Sequence, residues 1–226
     1  MEIVEGIHRV DEASGSIAHS NVYLTIDGPC LLIVDTGLPG NAKKTIEYIQ
    51  KIGRLPTDVS TIILTHYHVD HTGSLKELQS LTKAKVAVHA GDADYVSGNK
   101  PLPKPKNLIM RAASSFMKLT PTPVDTQLKE GDRIGRLTII HTPGHTQGSI
   151  ALLDTERKAL FVGDTLRLKG DKIVAGPEQF VWDAVKEKES IRKIASLDFN
   201  VMLPGHGEPL KEKASEAVKK FSETRQ

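Results

Sequence analysis

Short apolar runs recur along the chain and are separated by glycine, proline and aspartate. Apolar runs of four or five residues between such turn-forming residues are typical of buried β-strands. The pattern therefore predicts strands at 22–26, 30–34, 61–65, 85–89, 137–141, 149–153 and 159–162. A further apolar stretch, 199–203, ends at a Pro-Gly pair.

Between these runs the apolar residues are spaced three or four apart, which favours amphipathic helices. The stripes are Ile46 and Ile49 in 41–52, Leu75, Leu78 and Leu81 in 74–81, Ile191, Ile194 and Leu197 after Trp182, and Ala214, Ala217, Val218 and Phe221 near the end. Runs of strands with helices outside them indicate a layered α/β fold. We expect one domain over residues 1–226, with an insertion or flap near 94–125. Within it, prolines and lysines predict an extended loop at 98–106, followed by a short amphipathic helix at 107–119.

Composition narrows the function classes. The 30 basic and 28 acidic side chains nearly balance, so nothing points to a nucleic acid partner. No stretch approaches the ~18 apolar residues of a membrane span, and the first residues do not resemble a secretory signal. Cys30 is the one cysteine, which rules out an internal disulfide; we expect it to be buried, and we expect a cytoplasmic protein.

The strongest chemical signal is the segment 65–71, Thr-His-Tyr-His-Val-Asp-His, which directly follows an apolar strand. It holds four metal-ligand side chains within six residues. Zinc sites use neutral imidazole nitrogens and carboxylate oxygens at about 2.0–2.2 Å. In extended backbone, His66 and His68 can point to the same side, whereas Asp70 and His71 follow a turn and can address a second ion.

Three further motifs also follow apolar runs. They are Pro-Gly-His at 143–145, Gly-Asp-Thr at 163–165 and Pro-Gly-His-Gly at 204–207. Glycine before each candidate ligand lets the backbone turn sharply and approach a ligand closely. Asp-Thr-Gly at 35–37 has the same strand-then-turn form.

In this order, HxHxDH, PGH, GDT and PGHG resemble the metallo-β-lactamase superfamily, and within it the glyoxalase II-like and lactonase-like single-domain hydrolases. The resemblance covers roughly residues 7–210 and implies a four-layer αβ/βα sandwich with metals at one edge. It assigns His66, His68 and His145 to a first metal, and Asp70, His71 and His206 to a second. Asp164 would bridge the two.

The resemblance also implies a reaction. Two Zn²⁺ ions, with iron or manganese as alternatives, would lower the pKa of bound water from 15.7 to roughly 7. The bridging hydroxide would attack an ester, thioester or lactone, and Asp70 would orient it and pass its proton to the leaving group. The alternative is an oxidoreductase resembling the persulfide dioxygenases, with one iron on His66, His145 and Asp164. We expect a small-molecule substrate, no nucleic acid or membrane partner, and a homodimer by default.

Several residues carry two interpretations. Asp35 either satisfies backbone N–H groups before the helix at Asn41 or supports the His66–His71 loop. Arg167 binds a carboxylate or phosphate, or lies on the surface. Lys100, Lys104 and Lys106 form a solvated loop or attract an anionic substrate; Met110, Phe116 and Met117 belong to the core or to the underside of a flap. Tyr67 and Val69 face the pocket or the core.

Four other histidines, His8, His19, His89 and His141, are interpreted as structural, with a backbone or supporting partner for His141. Two departures bear on the substrate. About twenty residues follow His206, where glyoxalase II carries a helical glutathione-binding domain, and Arg167 stands near the place where the lactonases have a tyrosine.

Overall fold

A computed structural model describes residues 1–10, 20–103 and 119–224. Strands β1 to β7 form one sheet in sequential order, antiparallel from β1 to β4 and parallel from β4 to β7. They are Glu2–Val4, Ile7–Arg9, Tyr23–Asp27, Cys30–Val34, Val59–Leu64, Lys85–His89 and Thr126–Leu128.

A second sheet has the order β14-β11-β10-β9-β8, with only β11 and β14 parallel. Its strands are Arg133–Ile134 (β8), Leu137–His141 (β9), Ile150–Asp154 (β10), Ala159–Gly163 (β11) and Val201–Pro204 (β14). A hairpin follows β11 and precedes β14 in sequence. Within the described residues its strands, Leu166–Lys169 (β12) and Lys172–Ala175 (β13), pair only with each other.

The six α-helices in the described residues are Ala42–Lys51 (α1), Val69–Thr72 (α2), Leu75–Thr82 (α3), Ala90–Val96 (α4), Ala184–Ala195 (α5) and Ala214–Glu223 (α6). Four of them follow the predicted stripes, whereas α2 and α4 were not predicted. The Asp183 carboxylate accepts hydrogen bonds from the N–H groups of Val185 and Lys186 and so caps α5. None of these helices has the length and apolar character needed to cross a bilayer.

Three apolar cores separate four layers. One core joins the first sheet to α1, α3 and α4, through residues such as Ile33, Ile49 and Leu78. The inner core lies between the sheets and includes Ile63 and Phe161. The third core joins the second sheet to α5 and α6. Alternating side chains of the central strands enter the cores on their two sides, so the αβ/βα sandwich that the resemblance implied is confirmed.

Some boundaries differ from the predictions by one or two residues. The strand predicted at 61–65 is Val59–Leu64, because the Thr65 N–H donates to the Asp35 carboxylate instead of to a neighbouring strand. Cys30 was predicted to be buried but opens β4 in a partly exposed position. The flap predicted near 94–125 is described only at its two ends, and the helix predicted at 107–119 falls almost wholly outside the described residues.

Candidate metal centre

The ligand loops all leave the same edge of the sandwich. The loop that carries His66 and His68 follows β5 of the first sheet, and the short helix α2 places Asp70 and His71 one turn later. The loops after β9, β11 and β14 of the second sheet carry His145, Asp164 and His206. The Thr36 N–H and hydroxyl both donate to the His71 carbonyl, which fixes α2 against the first sheet.

Glycine is required at two of these turns because the chain packs too closely for a side chain. A Cβ on Gly144 would lie 2.4 Å from the backbone of Glu187, and Gly144 also has a φ of +143°. A Cβ on Gly205 would lie 2.3 Å from Oδ1 of Asp164. Gly144 therefore allows its loop to pack against α5, and Gly205 allows its loop to approach Asp164.

The structure brings His66, His68 and His145 together, and we call them the three-histidine cluster. Nδ1 of His68 lies 3.1 Å from Nε2 of His66 and 2.9 Å from Nε2 of His145. The remaining four predicted ligands form a mixed cluster of two carboxylates and two imidazoles: Asp70, His71, Asp164 and His206. Within each cluster the candidate ligand atoms lie within 4.8 Å of one another.

Asp164 lies between the clusters. Its Oδ1 is 3.2 Å from Nε2 of His71, and its Oδ2 is 3.3 Å from Nε2 of His206. The same Oδ2 is 3.5 Å from Nε2 of His145 in the three-histidine cluster. The Asp164 side chain is 9% exposed, whereas that of Asp70 is 28% exposed and faces solvent beside His206, 3.0 Å away.

The two clusters differ in charge. Burial lowers the pKa of His66 and His145, and it lowers the pKa of His68 to about 3, so all three imidazoles are neutral at neutral pH. In the mixed cluster burial disfavours the charged form of each group, but the attraction between oppositely charged neighbours is together larger. Asp164 and its neighbouring carboxylates raise the pKa of His71 well above its usual value and that of His206 to about 9. The histidines hold the pKa of Asp70 near 2 and that of Asp164 well below its usual range.

These donor sets fit divalent metal ions. Nitrogens bound tetrahedrally at about 2.0–2.1 Å would lie about 3.3 Å apart, close to the separations in the three-histidine cluster. Three neutral imidazoles whose lone pairs converge cannot all be satisfied by hydrogen bonds to one another, because each carries a single N–H. A cation at the centre of each cluster would satisfy the converging nitrogens and would neutralise the two carboxylates of the mixed cluster.

Asp35 supports this centre from behind, which decides between its two interpretations. Its Oδ1 accepts from the Thr65 N–H, and its Oδ2 accepts from the Thr65 hydroxyl and from Nδ1 of His71, each at 2.8 Å. The side chain is buried and the backbone has a φ of +59°. Helix α1 begins after Asn41 without help from Asp35. The carboxylate instead holds the His71 ring so that Nε2 faces the mixed cluster.

Two residues that hold the ligand loops escaped the sequence prediction. Asn21 Nδ2 donates to the carbonyls of Pro204 and Gly207, on either side of His206. Asp92 is fully buried in α4, and its carboxylate accepts hydrogen bonds from a ligand loop of each sheet. Burial raises the pKa of Asp92 to about 6, and the hydrogen bonds from Thr146, Gly148 and Tyr67 oppose this shift. Only the position of Asp92, one turn after a strand, offered a signal in the sequence.

The other histidines within the described residues lie outside both clusters. His8 contacts the Tyr48 hydroxyl, and His89 stacks on His141 with ring centroids 3.9 Å apart. His141 donates from Nε2 to the Gln147 carbonyl, which agrees with the backbone partner predicted for it. His19 lies outside the described residues.

Contacts favour one interpretation for two residues at the rim. Tyr67 is buried in the outer core against Tyr95, and Lys100 forms an exposed ion pair with Asp94. Arg167 is partly buried in β12, and its Nε makes no hydrogen bond to the described residues. Five residues with predicted roles lie outside the described part of the chain: Lys104, Lys106, Met110, Phe116 and Met117.

Comparison with known proteins gives one consistent result. The family model described as the metallo-beta-lactamase superfamily matches residues 17–206. The uncharacterized protein YobT of Bacillus subtilis is 30% identical over 88% of this chain and 89% of its own length. The probable metallo-hydrolase YflN of the same organism is 26% identical, over 92% and 86%. The acyl-coenzyme A thioesterase MBLAC2 of Gallus gallus is 29% identical, over 83% and 72%.

Among solved structures, TTHA1623 in a di-iron-bound form superposes with a TM-score of 0.69. It is 27% identical, and the match covers 86% of this chain and 90% of that one. The sequence similarity and the architecture therefore point to the same group of proteins.

Proposed function

Because the chain belongs to the metallo-β-lactamase superfamily, we propose that it is a dinuclear metal-dependent hydrolase that acts on an ester, thioester or lactone. The observation that carries the proposal is the pair of adjacent donor clusters, with Asp164 between them. The names of two relatives, a probable metallo-hydrolase and an acyl-coenzyme A thioesterase, support hydrolysis.

In this proposal the three-histidine cluster holds one ion, and Asp70, His71 and His206 hold the other. Asp164 contributes to both. The nitrogen and oxygen donors suit Zn²⁺, and iron or manganese would also be accepted by this set. The bound ions would act as Lewis acids on the substrate carbonyl and would acidify a water molecule.

The protein's own side chains orient the reactants. The partly exposed members of the two clusters are His68, Asp70, Asp164 and His206, so a small-molecule substrate reaches the centre from their side. Asp70 is the more exposed of the two carboxylates, and it would orient the attacking water and pass its proton to the leaving oxygen or sulfur atom. The Asp164 side chain is only 9% exposed, against 28% for Asp70, so we assign it to holding metal.

The test combines metal analysis with a substrate panel. We expect close to two ions per chain, mainly zinc, and hydrolysis of at least one class among activated esters, thioesters and lactones. His68→Ala should abolish hydrolysis and one metal site. His8→Ala is the control, because His8 is a buried histidine that contacts Tyr48 instead of the clusters.

Two results would contradict the proposal. Full activity in His68→Ala would place the chemistry elsewhere. A single bound iron with oxygen uptake on glutathione persulfide, and no hydrolysis, would favour the persulfide dioxygenase-like reaction instead.

A further inference from the structure

We propose that Asp92 is a positioning residue that sets the separation between the His66–His68 loop and the His145 loop, and thereby the metal affinity of the three-histidine cluster. This inference rests on the proposed function in one respect only, namely that the cluster binds metal. It assigns a role to the start of α4, which contributes no ligand.

The hydrogen bonds of Asp92 join the two loops. Its Oδ2 accepts from the N–H of Tyr67, which lies between two ligands, at 3.1 Å and from the Thr146 hydroxyl at 2.7 Å. Its Oδ1 accepts from the Gly148 N–H at 2.7 Å. The first donor belongs to the loop after β5 and the other two belong to the loop after β9. A single buried carboxylate therefore connects the two sheets at the point where the three imidazoles converge.

Close packing leaves this connection little freedom. A Cβ on Gly148 would lie 2.6 Å from the Asp92 backbone nitrogen, and a Cβ on Gly91 would lie 3.0 Å from the Gln147 carbonyl. On one side of Asp92, His89 stacks on His141 at the end of β9; on the other, Tyr95 packs on Tyr67. The first turn of α4 therefore packs closely against both loops.

The contacts of Asp92 also make the expected effect selective. Tyr67 and Thr146 are direct neighbours of the three histidines in sequence. Two of the four members of the mixed cluster, Asp164 and His206, follow β11 and β14, and no described residue of their loops donates a hydrogen bond to Asp92. Loss of the carboxylate should therefore weaken the three-histidine cluster more than the mixed cluster.

The substitution Asp92→Asn preserves size and removes one acceptor. The amide oxygen can replace only one carboxylate oxygen, so either the Tyr67 N–H or the Gly148 N–H faces an NH₂ group and is left unpaired. Loss of a group that orients metal ligands typically weakens metal binding by about 10–100-fold. We expect the zinc affinity of the three-histidine cluster to decrease by that factor; this is the binding step that His68→Ala abolishes. The zinc affinity of the mixed cluster should change little.

Asp154→Asn is the matched control. Asp154 is also fully buried and also accepts three hydrogen bonds, from the N–H groups of Glu156 and Arg157 and from the Arg157 guanidinium. It lies at the far end of β10, about 13 Å along the strand from Ile150 at 3.3 Å per residue. It should lower stability comparably and leave both zinc steps unchanged.

The experiment is a titration of the full metal-free chain with Zn²⁺ against a competing chelator, for the wild type and both variants, with urea unfolding in parallel. Selective weakening of the one step in Asp92→Asn supports the proposal. Unchanged zinc binding in Asp92→Asn, or equal weakening of both steps in Asp92→Asn and Asp154→Asn alike, overturns it.

A second pair of variants tests the same contact if Asp92→Asn does not fold. Thr146→Val removes one donor to Asp92, whereas Thr146→Ser keeps the hydroxyl. Weaker zinc binding in the first and wild-type binding in the second support the proposal, and equal affinities refute it. Hydrolysis is scored separately: a wild type that binds zinc but hydrolyses nothing contradicts the proposed reaction while the zinc comparison still tests Asp92.

Discussion

The substitution Asp35→Asn tests whether the buried carboxylate behind His71 orients that ligand. The amide oxygen could accept from Thr65 and His71 in place of Oδ2, but the NH₂ group would then oppose the Thr65 N–H. In the other orientation the NH₂ group would face Nδ1 of His71 and favour the tautomer with its proton on Nε2. That tautomer has no lone pair to offer the mixed cluster.

The expected magnitudes follow from these contacts. A buried donor left without a partner costs about 1–3 kcal/mol of stability, and Asp35 is only 2% exposed, so water cannot substitute. Asparagine tolerates the left-handed conformation with φ of +59°, so backbone strain does not add to the cost. We therefore expect a loss of about 2 kcal/mol in the metal-free protein and about 10–100-fold weaker zinc binding at the mixed cluster.

Urea unfolding of the metal-free protein measures the first quantity, and zinc titration measures the second. Asp154→Asn again provides the comparison, because it should lose stability without losing zinc affinity. If Asp35→Asn bound zinc as tightly as the wild type at both steps, the argument that Asp35 fixes the His71 tautomer would be wrong.

Two further predictions concern the mixed cluster. Gly205→Ala should destabilise the protein by about 1–3 kcal/mol in urea unfolding and lower its zinc content, because the new Cβ would displace Asp164; Gly170→Ala, with open space around the added carbon, should leave zinc content unchanged. At pH 7, zinc binding to the mixed cluster should release protons from His71 and His206, as calorimetry in buffers of different ionisation enthalpy will detect. The release should diminish as the pH rises through about 9, where metal-free His206 loses its proton. The raised pKa of His206 also stabilises the folded protein; this contribution is complete below about 6.5 and is lost as the pH rises through about 9. A proton release that does not vary with pH between 7 and 10 would contradict this assignment of charge.

Much of the site was predictable because its signals are local. The seven candidate ligands lie in segments that follow apolar strands, and the structure brings all seven together in the two groups that the resemblance implied. A layered α/β fold was predictable because strand and helix periodicities differ and most of the longer elements have an apolar stripe; the four-layer arrangement came from the resemblance to the superfamily. The assignment of these residues as metal ligands stays a prediction until metal is measured.

The parts that the sequence did not predict depend on contacts between distant segments. Strands β1, β7 and β8 have only two or three residues, too few to show a period. In the β12–β13 hairpin, Arg167, Lys169 and Lys172 interrupt the apolar pattern. An aspartate in the first turn of a helix usually signals a favourable interaction with the helix dipole. Asp92 looks like such a residue until the loops after β5 and β9 are placed beside it.

Each donor cluster contains side chains from both sheets, so the packing of the inner core between the sheets affects the distances between the candidate ligands. Residues such as Phe161 and Leu152 fill the gap between the sheets and act as a spacer that sets how widely the two halves of each chelate can open. A cavity or an extra methyl group in that gap would alter the distances between the candidate ligands at the rim without any change to the ligands themselves. If the clusters hold metal as proposed, we expect substitutions that alter only the volume between the sheets to change metal preference.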